Sequence, residues 1–408
     1  MTVPVHVAVP VWIRIGLLSF GGPAGQIALM QDEVVTRRGW ISTDSFDRGL
    51  AFSMMLPGPE AQQLATWLGW RLHGMIGGLI AGLAFIVPGA LLMLVLAWIA
   101  AAHGQIPVVA AIFGGVQPVV IALVLAALVK IAGRALQGPA HWALALAAFV
   151  AIWLLGVPFP VVIGSAAFIG LFLPRTDVQS VTKTHGGGTW RHTLITLCIA
   201  GAIVGTVYLA VRFTLGPTPY DDVAILFSTA ALVTFGGAYA VLPFVADLAV
   251  GTYGWLDAEQ MLNGLAIAEA TPGPLILVNT YAGFFAGWGD GGIVGGMITG
   301  VLATFFTFAP SFALILAFAP AVERISDIPW ARRALAGVSA AVVGVILNLA
   351  LFLAHAAFLP DDLQSPQWAK IGLFLIATLA VFVLRIRMIP LISGGILAGL
   401  ALHWAGWL

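Results

Sequence analysis

"SFGGPAGQIALMQDEVVTRRGWISTDSFDRGLAFSMMLPGP", from Ser19 to Pro59, is answered by "TFGGAYAVLPFVADLAVGTYGWLDAEQMLNGLAIAEATPGP", from Thr234 to Pro274. The two align without a gap at a constant offset of 215. Phe20-Gly21-Gly22 meets Phe235-Gly236-Gly237, Trp40 meets Trp255, Gly49 meets Gly264, and Pro57-Gly58-Pro59 meets Pro272-Gly273-Pro274. Apolar helices share leucines by chance but rarely an ordered series of this kind. Weaker echoes continue the pattern, "FGGVQPVV" at Phe113 with "LAGVSAAVV" at Leu335 and "FPVVIGSA" at Phe159 with "IPLISGGI" at Ile389. The chain is an internal duplication, a plan common among secondary transporters.

The surroundings of these stretches set the solvent. Of 408 residues, 61% are hydrophobic and 8% charged, whereas a soluble domain carries about 25% charged residues. Apolar runs near the roughly 18 residues needed to cross a bilayer recur along the whole chain. We expect thirteen apolar segments, six in each copy and one, about 192–213, between them. The fold class is an all-α polytopic membrane protein with broken or re-entrant helices. Its expected divisions are an N-terminal repeat over 1–174, a linker with a connecting transmembrane helix over 175–221, and a C-terminal repeat over 222–408.

An even number of segments per copy plus one connecting segment turns the second copy upside down, giving an inverted-topology repeat. Charge agrees. The loop after the first FGG carries Arg37, Arg38 and Arg48, while its counterpart carries Asp247, Asp257 and Glu259 and no cation. Under the positive-inside rule the two loops face opposite sides. If segments 1 and 2 of each half are hairpins that enter and leave on one side, Arg71, Lys130, Arg134, Arg175, Lys183, Arg191, Arg324, Arg332, Arg333, Arg385 and Arg387 also fall in cytoplasmic loops. Only Arg212 and Lys370 then face outward, so re-entrant segments are preferred over full crossings.

Several function classes drop out. Equal numbers of basic and acidic residues, 17 of each, leave no basic face for nucleic acid. The single cysteine, Cys198, allows no internal disulfide, and the eight histidines are scattered. The N-terminus lacks the layout of a removable signal peptide. No catalytic residue, metal ligand or cofactor follows from the sequence, and no redox centre supports a membrane-embedded reductase.

The interruptions carry the functional signal. Proline inside a helix removes a backbone hydrogen bond, and each unsatisfied backbone group in hydrocarbon costs several kcal/mol. A PGP triplet at membrane depth therefore needs protein or a water-filled cavity around it. Half-helices meeting there offer free N–H groups and positive dipole ends, a setting for a small anion. The expected substrate-binding residues are Gly21, Gly22, Pro57, Gly58, Pro59 and Gln63 in the first copy. In the second they are Gly236, Gly237, Pro272, Gly273 and Pro274, with Arg14 as the one cation placed at depth. Glu60 and Glu269 beside the breaks are candidates for proton coupling. Gln62, Asn279 and Thr280 add neutral hydrogen-bonding groups, and "GGLIAGLAF" and "GGIVGGMITG" read as helix-packing signatures.

These motifs, above all "FGGPAGQIALMQDEVVTRRGWIS", "LPGPEAQQLATWLGWRLHG" and "YGWLDAEQMLNGLAIAEATPGPLI", closely resemble the chromate ion transporter family in its long two-domain form. The likeness covers nearly the whole chain. It implies a multi-pass bacterial plasma-membrane protein whose halves point in opposite directions, exporting chromate and so conferring chromate resistance, with sulfate as a competing analogue. The family motifs fall also on Pro23, Gln26, Tyr239 and Pro243. Gly39 stands where members often hold a third basic residue. The implied partners are the oxyanion and the lipid bilayer, with a homodimer as one compatible assembly. The alternative reading keeps the fold and changes the cargo, to a permease or channel for sulfate or another small anion.

Overall fold

The computed structural model describes residues 3–173, 190–235, 237–321, 329–359 and 367–407. Gly236, Arg175, Lys183 and Arg324 lie outside the described residues, as does nearly all of the polar linker. Among the described residues the regular structure is entirely helical. This is a multi-pass membrane protein, with five helical runs among the described residues long and apolar enough to cross a bilayer.

The duplication is visible in the element boundaries. Helix α1 spans Val5–Leu18 and α9 spans Tyr220–Val233, both ends shifted by 215. Helix α2 (Gly22–Gln31) runs into a π turn, Asp32–Thr36, and a matching π turn starts at Asp247 after the short α10 (Leu242–Ala246). Helix α3 (Thr43–Ser53) starts behind the cap Ser42, and α11 (Ala258–Ala270) behind Asp257, whose carboxylate accepts from the Gln260 N–H at 2.7 Å. The long run α4, Glu60–His103, matches Leu275–Phe318, the run that contains α12 (Val278–Phe318).

Neither long run is straight. Residues His73 and Gly74 leave helical geometry in α4, as does Gly292 in α12. There the chain turns back, so that Gly69 meets the Gly77 backbone and Gly287 meets that of Gly295. Small residues let the two limbs touch backbone to backbone. Earlier elements fold back too. Helix α1 is about 21 Å long at 1.5 Å per residue, too short for a hydrocarbon core of about 30 Å. It reverses at Ser19–Gly22, bringing Arg14 to 3.8 Å from Glu33. Helix α3 reverses through the first PGP, setting Gly49 against the Trp67 ring. The His73 ring lies 2.6 Å from the Val3 carbonyl, so the chain start and the α4 turn share one face. The first two apolar segments are therefore hairpins.

The remaining helices, apart from the connecting α8, pack across the halves. They are α5 (Pro107–Ala135), α6 (Pro139–Trp153), α7 (Phe159–Gly170), α8 (Trp190–Leu215), α13 (Pro329–Phe358), α14 (Trp368–Phe382) and α15 (Met388–Trp404). Helix α5 packs on α14 and α15 of the second half, while α13 packs on α6 and α7 of the first. The crossings are close. Gly115 lies against Gly395 and Gly399, Gly337 against Ala166 and Gly170, and Gly344 against Ala145. Helix α8 sits at the rim on α9 and α12. Gly115→Val and Gly337→Val are each expected to destabilise the protein by about 1–3 kcal/mol through overpacking. Thermal unfolding in detergent measures this, and unchanged curves would show that the crossings are loose.

Candidate functional site

Four interruptions meet at the centre, and the backbone explains how. The Gly58 N–H donates to the Thr234 carbonyl at 2.8 Å, and the Gly273 N–H donates to the Ser19 carbonyl at 2.9 Å. Ser19 and Thr234 are counterparts, as are Gly58 and Gly273. Each PGP turn thus caps the FGG break of the other half, and one bond is the copy of the other. Amide side chains complete the junction. Gln26 Nε2 donates to the Gly273 carbonyl at 2.7 Å and Gln63 Nε2 to the Pro57 carbonyl at 2.7 Å. Ser311 Oγ donates to Gln62 Oε1 at 2.6 Å, and Asn279 Nδ2 to Thr307 at 3.1 Å. Buried polar groups are expected to find such partners, yet Gln26 Oε1, Gln63 Oε1 and Asn279 Oδ1 are buried and accept no hydrogen bond among the described residues.

This corrects one expectation. The PGP amides are spent on the opposing breaks and are not free for a ligand. Gly58, Pro59, Gln63, Pro272, Gly273 and Pro274 are buried behind the wall of the central cavity, and Pro57 is half-buried there. Their part is to hold the breaks in place.

The cavity itself, of about 470 Å³, opens in front of that junction. Gly21, Gly22, Pro23 and Ala24 form one wall, so the first turn of α2 presents its positive dipole end. Gly237, Ala238 and Tyr239 form the counterpart wall, with Met54 and Glu269 between, themselves counterparts. Tyr239 donates its hydroxyl hydrogen to the Glu269 carboxylate. Glu60 opens the first turn of α4 at the cavity's edge. Among the expected site residues, then, Gly21, Gly22, Gly237, Glu60 and Glu269 reach the cavity.

Arg14 does not. Folding of α1 onto the π turn aims its half-exposed guanidinium at Glu33, which also accepts from Arg37 and Arg38. The cations on the cavity are instead Lys130 and Arg134, from the C-terminal half of α5. Neither forms a salt bridge among the described residues. They read as loop charges because they end an apolar run. A usable signal was the spacing Ala126, Lys130, Arg134, one face of a helix at intervals of four, with small residues leaving room in front of it.

Two cations, two carboxylates and a helix N-terminus surround one water-accessible space. That set can hold a small anion and exchange a proton beside it. No group of three or more His, Cys, Asp or Glu side chains able to hold a metal occurs among the described residues.

Comparison with known proteins bears on what such a cavity serves. The family described as chromate transporter matches residues 8–171 and 222–400. A protein of Pseudomonas aeruginosa named chromate transport protein is 34% identical over 348 residues, covering 82% of this chain and 77% of that protein. One of the same name from Cupriavidus metallidurans is 25% identical over 396 residues, covering 96% and 92%. A Bacillus subtilis protein named only as an uncharacterized transporter is 33% identical over 159 residues, which are 39% of this chain but 73% of that protein. That relative is the size of a single half. No solved structure matches the chain.

Proposed function

The chain belongs to the chromate transporter family, and from that premise we propose that it exports chromate from the cytoplasm across a bacterial plasma membrane, so conferring chromate resistance. The observation that carries the reading is the central cavity, whose lining brings Lys130 and Arg134 together with the first turn of α2 and the paired FGG breaks. Chromate is a tetrahedral dianion. Two cations and a helix dipole bind such a charge firmly enough to gather it and, being open to water, weakly enough to release it. The two halves, 1–174 and 222–408 joined through 175–221, act as inverted copies. The reciprocal bonds from Gly58 to Thr234 and from Gly273 to Ser19 support that relation.

Voltage supplies a sufficient drive. One charge crossing 100 mV is worth about 2.3 kcal/mol, so a dianion leaving a negative interior gains about 4.6 kcal/mol. At about 1.4 kcal/mol per decade this sustains roughly a thousandfold gradient. Glu60 and Glu269 also line the central cavity, and their negative charges oppose a dianion until they are protonated, so efflux depends on pH. Glu269→Gln is expected to flatten the response of efflux to an imposed pH gradient at fixed voltage, and Glu60→Gln to flatten it less. An unchanged response in both variants returns the carboxylates to a structural role.

The deciding experiment is flux of labelled chromate in reconstituted vesicles at controlled voltage and pH. Voltage-driven chromate movement inhibited by sulfate supports the proposal. Accumulation of sulfate without chromate replaces the cargo.

A further inference from the structure

The duplication identifies a second chamber. On α5 and α13, counterparts stand 222 apart, as Pro107 and Pro329 do. The cavity-lining Ala126, Ala127 and Lys130 therefore correspond to Asn348, Leu349 and Phe352. Those three line a separate cavity of about 290 Å³, together with Phe159, Phe244 and Asp247. The central cavity joins the C-terminal half of α5 to Ser339 and Val342 in the N-terminal half of α13. The two helices thus run in opposite directions, and the smaller cavity lies toward the other end of the molecule. From Val342 to Asn348 is about 9 Å of helix, filled by the fully buried Val345 and Ile346. Phe159 stacks on Phe244 with ring centroids 5.5 Å apart. The two chambers share no lining residue.

Their charges differ as sharply. Lys130 and Arg134 have Phe352 and Ala356 as counterparts, and Arg37 and Arg38 have Thr252 and Tyr253. Asp32, paired with Arg37 at 2.7 Å, has as counterpart Asp247, which forms no salt bridge among the described residues. One chamber sets two cations beside its carboxylates, and the other holds a carboxylate alone.

We infer that the smaller cavity is the release vestibule for a divalent oxyanion on the extracytoplasmic side, closed here by the Phe159–Phe244 stack and the Val345–Ile346 layer. The inference rests on the transport reading above and adds the exit to it. In the alternate state α13 takes the place that α5 holds here, and the vestibule widens while the central cavity closes toward the cytoplasm. Net direction is still set by voltage and concentration. The missing cations set which face saturates first, low concentrations sufficing inside and high ones being needed outside.

The test uses Cys198→Ser protein carrying one new cysteine, in right-side-out and everted vesicles, with a membrane-impermeant thiol reagent. Asn348→Cys is expected to react only from outside and Ala127→Cys only from the cytoplasmic side, saturating chromate changing the two rates in opposite senses. Val157→Cys, on the same vestibule, replaces Asn348→Cys if that variant does not insert. Reaction of both positions from one side overturns the inference, as does a vestibule cysteine inert from both sides. In a second arm, Phe352→Lys lowers the half-saturating chromate concentration for entry from outside by about tenfold, the equivalent of about 1.4 kcal/mol, and leaves the cytoplasmic value little changed. An unaltered outer value overturns the charge argument. If wild-type vesicles move no chromate, the proposed cargo fails, and the labelling pattern alone still decides the vestibule.

Discussion

Lys130→Gln combined with Arg134→Gln is expected to raise the half-saturating chromate concentration on the cytoplasmic side by about ten- to a hundredfold, in a protein that still inserts and purifies. The magnitude follows from the setting. A hydrogen bond to a charged group contributes about 1.5–3 kcal/mol when well sheltered, and both side chains here are exposed to the cavity's water, so screening reduces each share. Two such contacts at about 1 kcal/mol each give roughly thirtyfold, at 1.4 kcal/mol per decade. Neither forms a salt bridge among the described residues, so the fold is expected to tolerate the change. Arg134→Lys keeps the charge and is expected to recover most of the loss. The measurement is initial efflux against internal chromate concentration. Wild-type half-saturation in the double variant would remove α5 from the binding site.

Gly58→Ala and Gly273→Ala form the second large test. Both glycines occupy left-handed backbone, with φ of 125° and 100°, a region that costs a residue bearing a Cβ about 1–3 kcal/mol. Space is short as well. A Cβ on Gly58 falls 2.7 Å from Gln63 Nε2 and 2.9 Å from Ser311 Oγ, and one on Gly273 falls 2.9 Å from a Leu277 methyl. Relief of either clash moves the amide that holds the opposing break, and with it one wall of the cavity. Each substitution is expected to cut chromate efflux by about tenfold or more, the kinetic equivalent of about 1.4 kcal/mol, while membrane insertion persists. Efflux at the wild-type rate from both variants would detach the PGP turns from transport.

Much of the architecture was legible because the repeat is written in residues with special backbones. Glycine and proline at matched positions fixed the breaks at Ser19–Gly22 and through the two PGP triplets, and the arginine pair at 37 and 38 favoured hairpins over crossings. The exchange of α5 and α13 between halves was not legible. Gly115 and Gly337 announce close packing but not the partner, and a helix in lipid is apolar on every face, so periodicity does not single out a neighbour. The same limit shaped the site. Gly21, Gly22, Gly237, Glu60 and Glu269 were found through their breaks. Pro57 to Pro59 and Pro272 to Pro274 were found too, but the Gly58 and Gly273 amides within them point at carbonyls of the other half, a pairing visible only in three dimensions. Arg14 was misplaced because its helix folds onto Glu33, and Lys130 and Arg134 were passed over because position at the end of an apolar run looks the same for a loop charge and a cavity wall.

The exchange of helices also constrains how the protein is made. Helix α5 ends at Ala135 and its partner α15 begins at Met388, about 250 residues later. At about 5–20 residues per second, a nascent α5 waits some tens of seconds in the bilayer with its glycine face clad only by lipid. Maturation therefore waits for α15, and a chain stalled before it keeps the crossings of α13 on α6 and α7 but lacks the glycine seam between α5 and α15.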